Sequence, residues 1–227
     1  MDHLRNVIDM TSFLHDHRHP SIREVEAYWQ ALRAGRLVPR RSEVDPRGIE
    51  RSLEFAFILE RIAPGLARMR IAGSHLCDLM GMEVRGMPVS TFFDPAGRNL
   101  FGDVLEQVFS APATAELVLN AERGIGKPAI DARMILLPLK SDLGDISRAL
   151  GCLSTQGTIG RTPRRFEIVS HRAVALTETG TTPAAPLPAP ADLVPGFAEP
   201  PAGFLQDAPP PRHRGKPFLR LVKSDDD

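Results

Sequence analysis

The sequence is poor in cysteine and in the larger aromatic side chains. Its 227 residues include two cysteines, one tryptophan and one tyrosine. Cys77 and Cys152 both lie in apolar stretches, so each is interpreted as a small buried side chain, with a disulfide between them as the alternative. An excess of charge is missing as well, because 28 basic residues balance 28 acidic ones. Nucleic-acid binding needs a clear basic excess, so no nucleic-acid partner is expected.

Long apolar runs and catalytic motifs are also missing from the sequence. It has no stretch of about 20 apolar residues and no apolar segment of a signal peptide at its start, which predicts a cytoplasmic protein without a membrane span. The patterns G-x-S-x-G and H-E-x-x-H are absent, and the glycines at 124 and 126 lack the setting of a phosphate loop. We therefore expect no enzyme and no metal centre.

The N-terminal region consists of a polar arm, residues 1–20, followed by a helix. His15, His17 and His19 alternate in the arm, which we interpret as solvated, with metal capture as the alternative. Ser21 and Glu24 have the spacing of a capping box and predict a helix over Ser21–Ala34. As a hypothesis, its apolar face forms a homodimer or partner contact, with these candidates: Val25, Tyr28, Trp29 and Leu32.

An extended basic connector follows this helix. Arg36, Arg40 and Arg41 could form a site for phosphate or for an acidic partner, or they could lie in a solvated loop and pair with Glu43 and Asp45. The Asp-Pro dipeptide at 45–46 predicts the start of a short helix that ends at about residue 53.

The centre of the sequence predicts a hairpin that leads into helices. Strands are expected over Leu53–Ile62 and Leu66–Ala72, joined by a Pro-Gly turn. Ser74 is the expected N-cap of a short helix that continues to Met80 and ends at Gly81.

The remaining sequence predicts a longer helix and further strands. Phe92 and Phe93 are expected to fill the core before a helix that ends at Ser110. Three strands should follow, at 114–121, 129–139 and 150–158, and Pro138 in the second of them indicates an edge or a bulge. Residues 166–176 are interpreted as an added strand or an arm. The order predicts an α+β fold with one antiparallel sheet and helices clustered between its second and third strands.

Several segments together resemble the single-domain PAS proteins of alphaproteobacteria. They are YWQALRAGRLVPRRSEVDP at 28–46, the hairpin FAFILERIAPGLARMRIAGSHLCDLMG at 55–81, EVRGM at 83–87 and RRFEIV at 164–169. The resemblance covers about residues 22–176. It implies a five-stranded antiparallel sheet with helices on one face, here with an N-terminal helical extension, and a sensory or protein-interaction role. It therefore divides the chain into N-terminal helices at 21–53 and a PAS-like core at 54–176.

The resemblance also allows cofactors to be considered. Flavin-binding PAS photoreceptors carry their reactive cysteine in an N-C-R-F-L-Q motif, which the surroundings of Cys77 lack, and haem-binding PAS domains use a helix histidine that His75 resembles only in position. No cofactor is therefore predicted, and haem remains the less favoured alternative as a pocket ligand. A pocket between sheet and helices could admit a small apolar ligand, or the same side chains could fill the core. The pocket candidates are Phe55, Phe57, Met69, Ile71, His75, Leu79, Met80, Phe92, Leu117, Leu119, Met134, Leu136 and Leu153.

The C-terminal part of the sequence, residues 177–227, has a different composition. Eleven of the 21 prolines lie between Pro183 and Pro217, which predicts a disordered, extended tail. Near its end, Phe218, Leu219 and Leu221 stand among basic residues and either dock on a partner or fray. The sequence as a whole predicts a PAS-type regulatory protein that acts through protein contacts and forms homodimers, with a small-molecule receptor as the alternative.

Overall fold

A computed structural model describes residues 18–178 of the chain. His15, His17 and the predicted docking residues Phe218, Leu219 and Leu221 lie outside the described residues. The α-helices are α1 (Pro20–Arg33), α2 (Ser74–Met80) and α3 (Gly97–Ser110), and three 3-10 helices span Arg41–Glu43, Pro46–Phe55 and Val89–Phe92. The strands are β1 (Ala56–Ala63), β2 (Leu66–Ala72), β3 (Ala113–Ala121), β4 (Asp131–Leu139), β5 (Arg148–Gln156) and β6 (Phe166–Ala175). No helix among the described residues is long and apolar enough to cross a membrane.

The strands form one antiparallel sheet of six strands, in the order β2-β1-β5-β4-β3-β6. The α+β class and the antiparallel sheet are confirmed, but the expected number of five strands is wrong. Residues 166–175 form the sixth strand, because β6 pairs with β3 along the length of both strands. A ladder of this kind joins residues about fifty positions apart, which no local sequence pattern specifies.

The central strands β4 and β5 are buried on both faces of the sheet. Side chains of a strand alternate between its two sides, so each of these strands contributes to two cores. Met134 and Leu136 of β4 pack on the front face with α2 and α3, whereas Ile135 and Leu137 pack on the back face with α1. The expectation of helices on one face therefore holds for the central helices only. The N-terminal helices form a second layer behind the sheet, which explains why β4 is apolar on both of its faces.

Helix α1 begins differently from the prediction. His19 is its N-cap and Pro20 its first residue, and the N-cap makes no side-chain capping bond, so the predicted capping box is wrong. The Glu24 carboxylate instead accepts a hydrogen bond from the Ser52 hydroxyl, at 2.5 Å. This bond joins α1 to the 3-10 helix Pro46–Phe55, so the acidic residue connects two elements of the back layer.

The predicted hairpin and short helix are present, with shifted ends. Strand β2 has the predicted bounds, but residues 53–55 belong to the preceding 3-10 helix, so β1 starts at Ala56. Gly73 rather than Ser74 is the N-cap of α2, and Gly81 ends this helix with φ of 70°. That left-handed conformation explains the requirement for glycine at the end of α2.

Candidate functional site

Most of the side chains predicted to line a pocket lie together in the front core. Two of the thirteen are partly buried, Phe55 and His75, and one is exposed, Ile71. The other ten are buried and packed against one another in the cluster between the sheet and α2, α3 and the 3-10 helix Val89–Phe92. These ten are Phe57, Met69, Leu79, Met80, Phe92, Leu117, Leu119, Met134, Leu136 and Leu153. Their arrangement is that of a filled core.

His75 is held by two contacts at the first turn of α2. Its Nε2 lies 2.9 Å from the Thr155 hydroxyl, and its ring packs edge-on against Phe55 at a centroid distance of 4.8 Å. Burial lowers the pKa of His75, while the nearby carboxylates of Glu54 and Asp78 oppose this shift. Among residues 18–178, no group of three or more His, Cys, Asp or Glu side chains could hold a metal ion. The hydrogen bond between His75 and Thr155 connects α2 to β5.

Both cysteines are free thiols. Cys152 is buried in the back core, and this burial raises its pKa to about 12. Cys77 is half-buried on α2, with its sulfur 3.8 Å from the Glu83 carboxylate. A thiol with a pKa near 12 stays protonated at neutral pH, so Cys152 is a small core side chain there.

The aromatic face of α1 packs on the chain's own sheet. Val25 and Trp29 have no exposed surface, and the Trp29 indole donates a hydrogen bond to the carbonyl of Pro138, at 2.9 Å. The Tyr28 hydroxyl donates to the Asp45 carbonyl and accepts from its N–H. Leu32 is half-buried. In this conformation Val25 and Trp29 have no surface to offer a second copy, whereas a contact through Tyr28 and Leu32 stays a prediction.

An open groove lies elsewhere, on the back face of the sheet beside β2. One wall is part of the whole connector between α1 and β1, residues 34–55, and the other is formed by β1, β2 and the start of β5. The groove has a volume of about 490 Å³. It is lined by Arg41, Val44, Pro46, Ile49, Leu53, Glu54, Ala56, Phe57, Ile58, Ile71, Ala72, Gly73, Ser74 and Leu150. Two of the predicted pocket residues, Phe57 and Ile71, are among those that line this groove.

A second, more polar cavity adjoins the groove. It shares Arg41, Ile58 and Ile71 with the groove, which places the two cavities side by side. Its volume is about 370 Å³. The other residues that line it are Ser42, Arg70, Asp142 and Arg148. The back of the sheet therefore offers an apolar groove with a basic end.

Glu60 organises the arginines at this basic end. Its carboxylate forms ion pairs with Arg68 and Arg70 of β2 and with Arg148 of β5. The hydrogen bond from Arg70 and those from the other two arginines lower the pKa of Glu60 to about 2, against an opposing effect of burial. Glu60 therefore stays ionised and fixes the side chains of three arginines across neighbouring strands.

The connector arginines are divided between structural and open positions. Arg36 forms an ion pair with Glu43, at 2.9 Å, which confirms one of the two predicted pairings of a solvated loop. Arg41, which lines both cavities, has no side-chain hydrogen bond or ion pair within the described residues. The sequence had grouped Arg41 with Arg36 and Arg40 as a candidate anion site. In the folded connector Arg41 lines the two cavities, whereas Arg36 and Arg40 line neither of them.

The described fold agrees with a sequence match to a known family. The model of a PAS domain family matches residues 17–154, which is more than half of the chain. The chain therefore belongs to the PAS domain family. The matched range starts before α1 and ends within β5, so it includes the back layer and excludes β6.

Solved structures of light-oxygen-voltage (LOV) proteins show a more distant likeness. The light-state LOV domain of the blue-light photoreceptor Aureochrome1 is 14% identical, with a TM-score of 0.36, over 49% of this chain and 88% of that one. A LOV domain studied with a flavin analogue is 16% identical, with a TM-score of 0.35, over 49% of this chain and 83% of that one. An RNA-binding LOV receptor is 16% identical, with a TM-score of 0.36, over 52% of this chain and 35% of that one. These scores support no argument about ligands, and no curated protein matches the sequence.

Proposed function

We propose that this PAS protein is a regulatory module of bacterial signalling that acts through contacts with other proteins, itself included, and carries out no catalysis of its own. The observation that supports this role is the packed front core, where ten predicted pocket residues fill the space between sheet and helices. A filled interior of this kind leaves the outer surface of the domain to make regulated contacts.

The proposal is tested on the purified full chain. We expect light scattering over a concentration series to show reversible self-association, and we expect the chain to retain a defined protein partner when it is isolated from its own cells. A second chain that ends at Thr182 is measured in parallel, so that the first unit can be compared with the full chain. A monomer at all concentrations that retains no partner in either form contradicts the proposal.

A small-molecule receptor is the second candidate function. The specific observation in its favour is the open groove of about 490 Å³ on the back of the sheet, since ligand sites commonly have volumes of roughly 300 to 1,000 Å³. Native mass spectrometry and an absorption spectrum of the full chain separate the two candidates. A bound small molecule that is lost when the groove is altered supports a receptor, and a protein with no added mass favours the contact role alone.

A further inference from the structure

We propose that the back groove binds a small amphipathic carboxylate, with its apolar part against Leu53, Ile58 and Ile71 and its carboxylate on Arg41. This inference rests on the second candidate function, the receptor, and names the class of its ligand.

The apolar part of the ligand is indicated by the walls of the groove. Leu53 and Ile71 are 42% and 46% exposed, and they lie in one groove with the buried side chains of Ile49, Ile58 and Leu150. Single exposed apolar residues are ordinary on a protein surface, but several that line one concave space are typical of a binding site. An alkyl or aryl group placed there would remove this apolar surface from water.

The charge of the ligand is indicated by the basic end of the groove. The adjoining cavity is lined by Arg41, Arg70, Arg148 and Asp142, and Glu60 pairs with Arg70 and Arg148. In this cavity the guanidinium groups of Arg41, Arg70 and Arg148 are set against the carboxylates of Asp142 and Glu60, so the positive charge is in excess there. The other carboxylate of the groove, Glu54, lies outside this cavity. A neutral or cationic headgroup would leave that excess without compensation, whereas an anionic one complements it.

The number of available donors favours a carboxylate over a phosphate. Arg70 and Arg148 already bind Glu60, so Arg41 is the guanidinium at this end without a partner within the described residues. One guanidinium binds one carboxylate through two parallel hydrogen bonds. A phosphate dianion would need a second open cation beside Arg41, and the neighbouring arginines are engaged.

The position of the groove connects such a ligand to the back layer. The 3-10 helix Pro46–Phe55 forms one wall, and its Ser52 donates a hydrogen bond to Glu24 of α1. The Asp45 backbone at the start of the same wall is bonded to the Tyr28 hydroxyl. A ligand that joins this wall to β1 and β2 would stabilise the docked position of α1 on the sheet.

The test measures binding of three probes with the same alkyl chain to the delipidated full chain, by calorimetry. Decanoate is expected to bind more tightly than decanol by on the order of tenfold, the scale of one charge-assisted interaction, and decylamine is expected to bind most weakly. Arg41→Gln should remove the preference for decanoate and leave the affinity for decanol unchanged. Ile71→Gln should weaken both. The matched control is Arg47→Gln, an exposed arginine of the same connector outside the groove, which should bind all three probes as the unmodified chain does.

Equal affinity for decanoate and decanol, or a preference unaffected by Arg41→Gln in a variant with an unchanged circular dichroism spectrum, overturns the proposal. Native mass spectrometry of the protein isolated without delipidation tests the receptor function separately from the carboxylate class of the ligand. A retained ligand that is not an anion and that Ile71→Gln releases overturns the carboxylate class and keeps the receptor. Absence of any retained ligand together with absence of probe binding overturns both.

Discussion

The indole N–H of Trp29 donates a hydrogen bond to the carbonyl oxygen of Pro138, 2.9 Å away, and so fixes α1 to an interior strand of the sheet. Pro138 had been predicted at an edge or a bulge, yet β4 lies between β5 and β3. The pairing of β4 with β3 ends at Leu136, whereas that with β5 continues past Pro138. Proline is tolerated there because β4 has one strand neighbour at this point, and the tryptophan satisfies a carbonyl that β3 does not reach.

Replacing Trp29 by Phe is expected to lower the free energy of unfolding by about 2 to 4 kcal/mol, because it opens a void in the back core and leaves the Pro138 carbonyl without its donor. Urea denaturation measures the change. Tyr28→Phe is the matched control, since its hydroxyl bonds the Asp45 backbone at an exposed site, and it should cost about 1 kcal/mol or less. If Trp29→Phe costs no more than Tyr28→Phe, neither the void nor the lost bond to Pro138 has the expected effect.

Arg164→Lys is expected to destabilise the protein by about 2 kcal/mol or more. The guanidinium is buried and donates to the carbonyls of Ile159, Glu122 and Pro128, so one planar group satisfies three loop carbonyls. A lysine ammonium lacks the fixed fork of donors and would leave buried carbonyls unpaired. Chemical denaturation tests this, and hydrogen exchange should show faster opening of the β3–β4 loop. The exposed Arg161 supplies the control Arg161→Lys, and a comparable loss in that variant would contradict the assigned role.

Glu60→Gln is expected to flatten the acid side of the stability curve. The pKa of Glu60 is about 2 in the folded protein and 4.5 without its surroundings, so the folded state holds fewer protons than the unfolded one between these values. Its contribution is thus complete above about pH 4.5 and is lost as the pH falls towards 2. At neutral pH we expect the substitution to lower the free energy of unfolding by about 1 to 2 kcal/mol. This is less than the full pKa shift would give, because the Glu60 carboxylate is partly hydrated. The free energies of unfolding of Glu60→Gln and of the unmodified chain, measured at pH 7, 4.5 and 2.5, should converge in acid. A difference that stays constant over this range would show that the lowered pKa of Glu60 is not its cause.

Elements with local signals could be predicted from the sequence. The alternation of Leu66–Ala72 gave the bounds of β2, and the glycine at 81 marked the end of α2, because both depend on a few neighbouring residues. The sixth strand and the back layer depend on pairings between distant segments. The apolar stripe of α1 predicted burial of Trp29, but it could not distinguish the chain's own sheet from a second copy.

The candidate site was harder to predict for a different reason. A ligand pocket and a filled core both need apolar side chains at inward positions, so the pattern of residues such as Leu117 and Met134 is the same in either case. The groove depends on how the connector docks against β1 and β2. Ile71 was a predicted pocket residue, but its partners Leu53 and Arg41 had been assigned to a strand and to a loop.

Gly73→Ala is expected to destabilise the protein by about 1 to 3 kcal/mol and to distort the groove. Gly73 has φ of −71°, which any residue can adopt, so backbone conformation does not require glycine there. A Cβ at this position would lie 2.1 Å from the carbonyl oxygen of Glu54, and neither β2 nor the 3-10 helix can move away without losing packing. Gly124→Ala is the matched control, since a Cβ there would meet nothing within 4 Å.

The two glycine variants together test whether the close approach of Gly73 to the connector shapes the groove. Urea denaturation gives the cost of each substitution, and probe binding shows its effect on the groove. We expect Gly73→Ala to weaken decanoate and decanol binding together, because Gly73 lies in the groove wall while Arg41 is unchanged. A selective loss of decanoate binding would place the effect at the basic end instead. Stability and binding equal to those of Gly124→Ala would show that the wall is free to move away from the added methyl group.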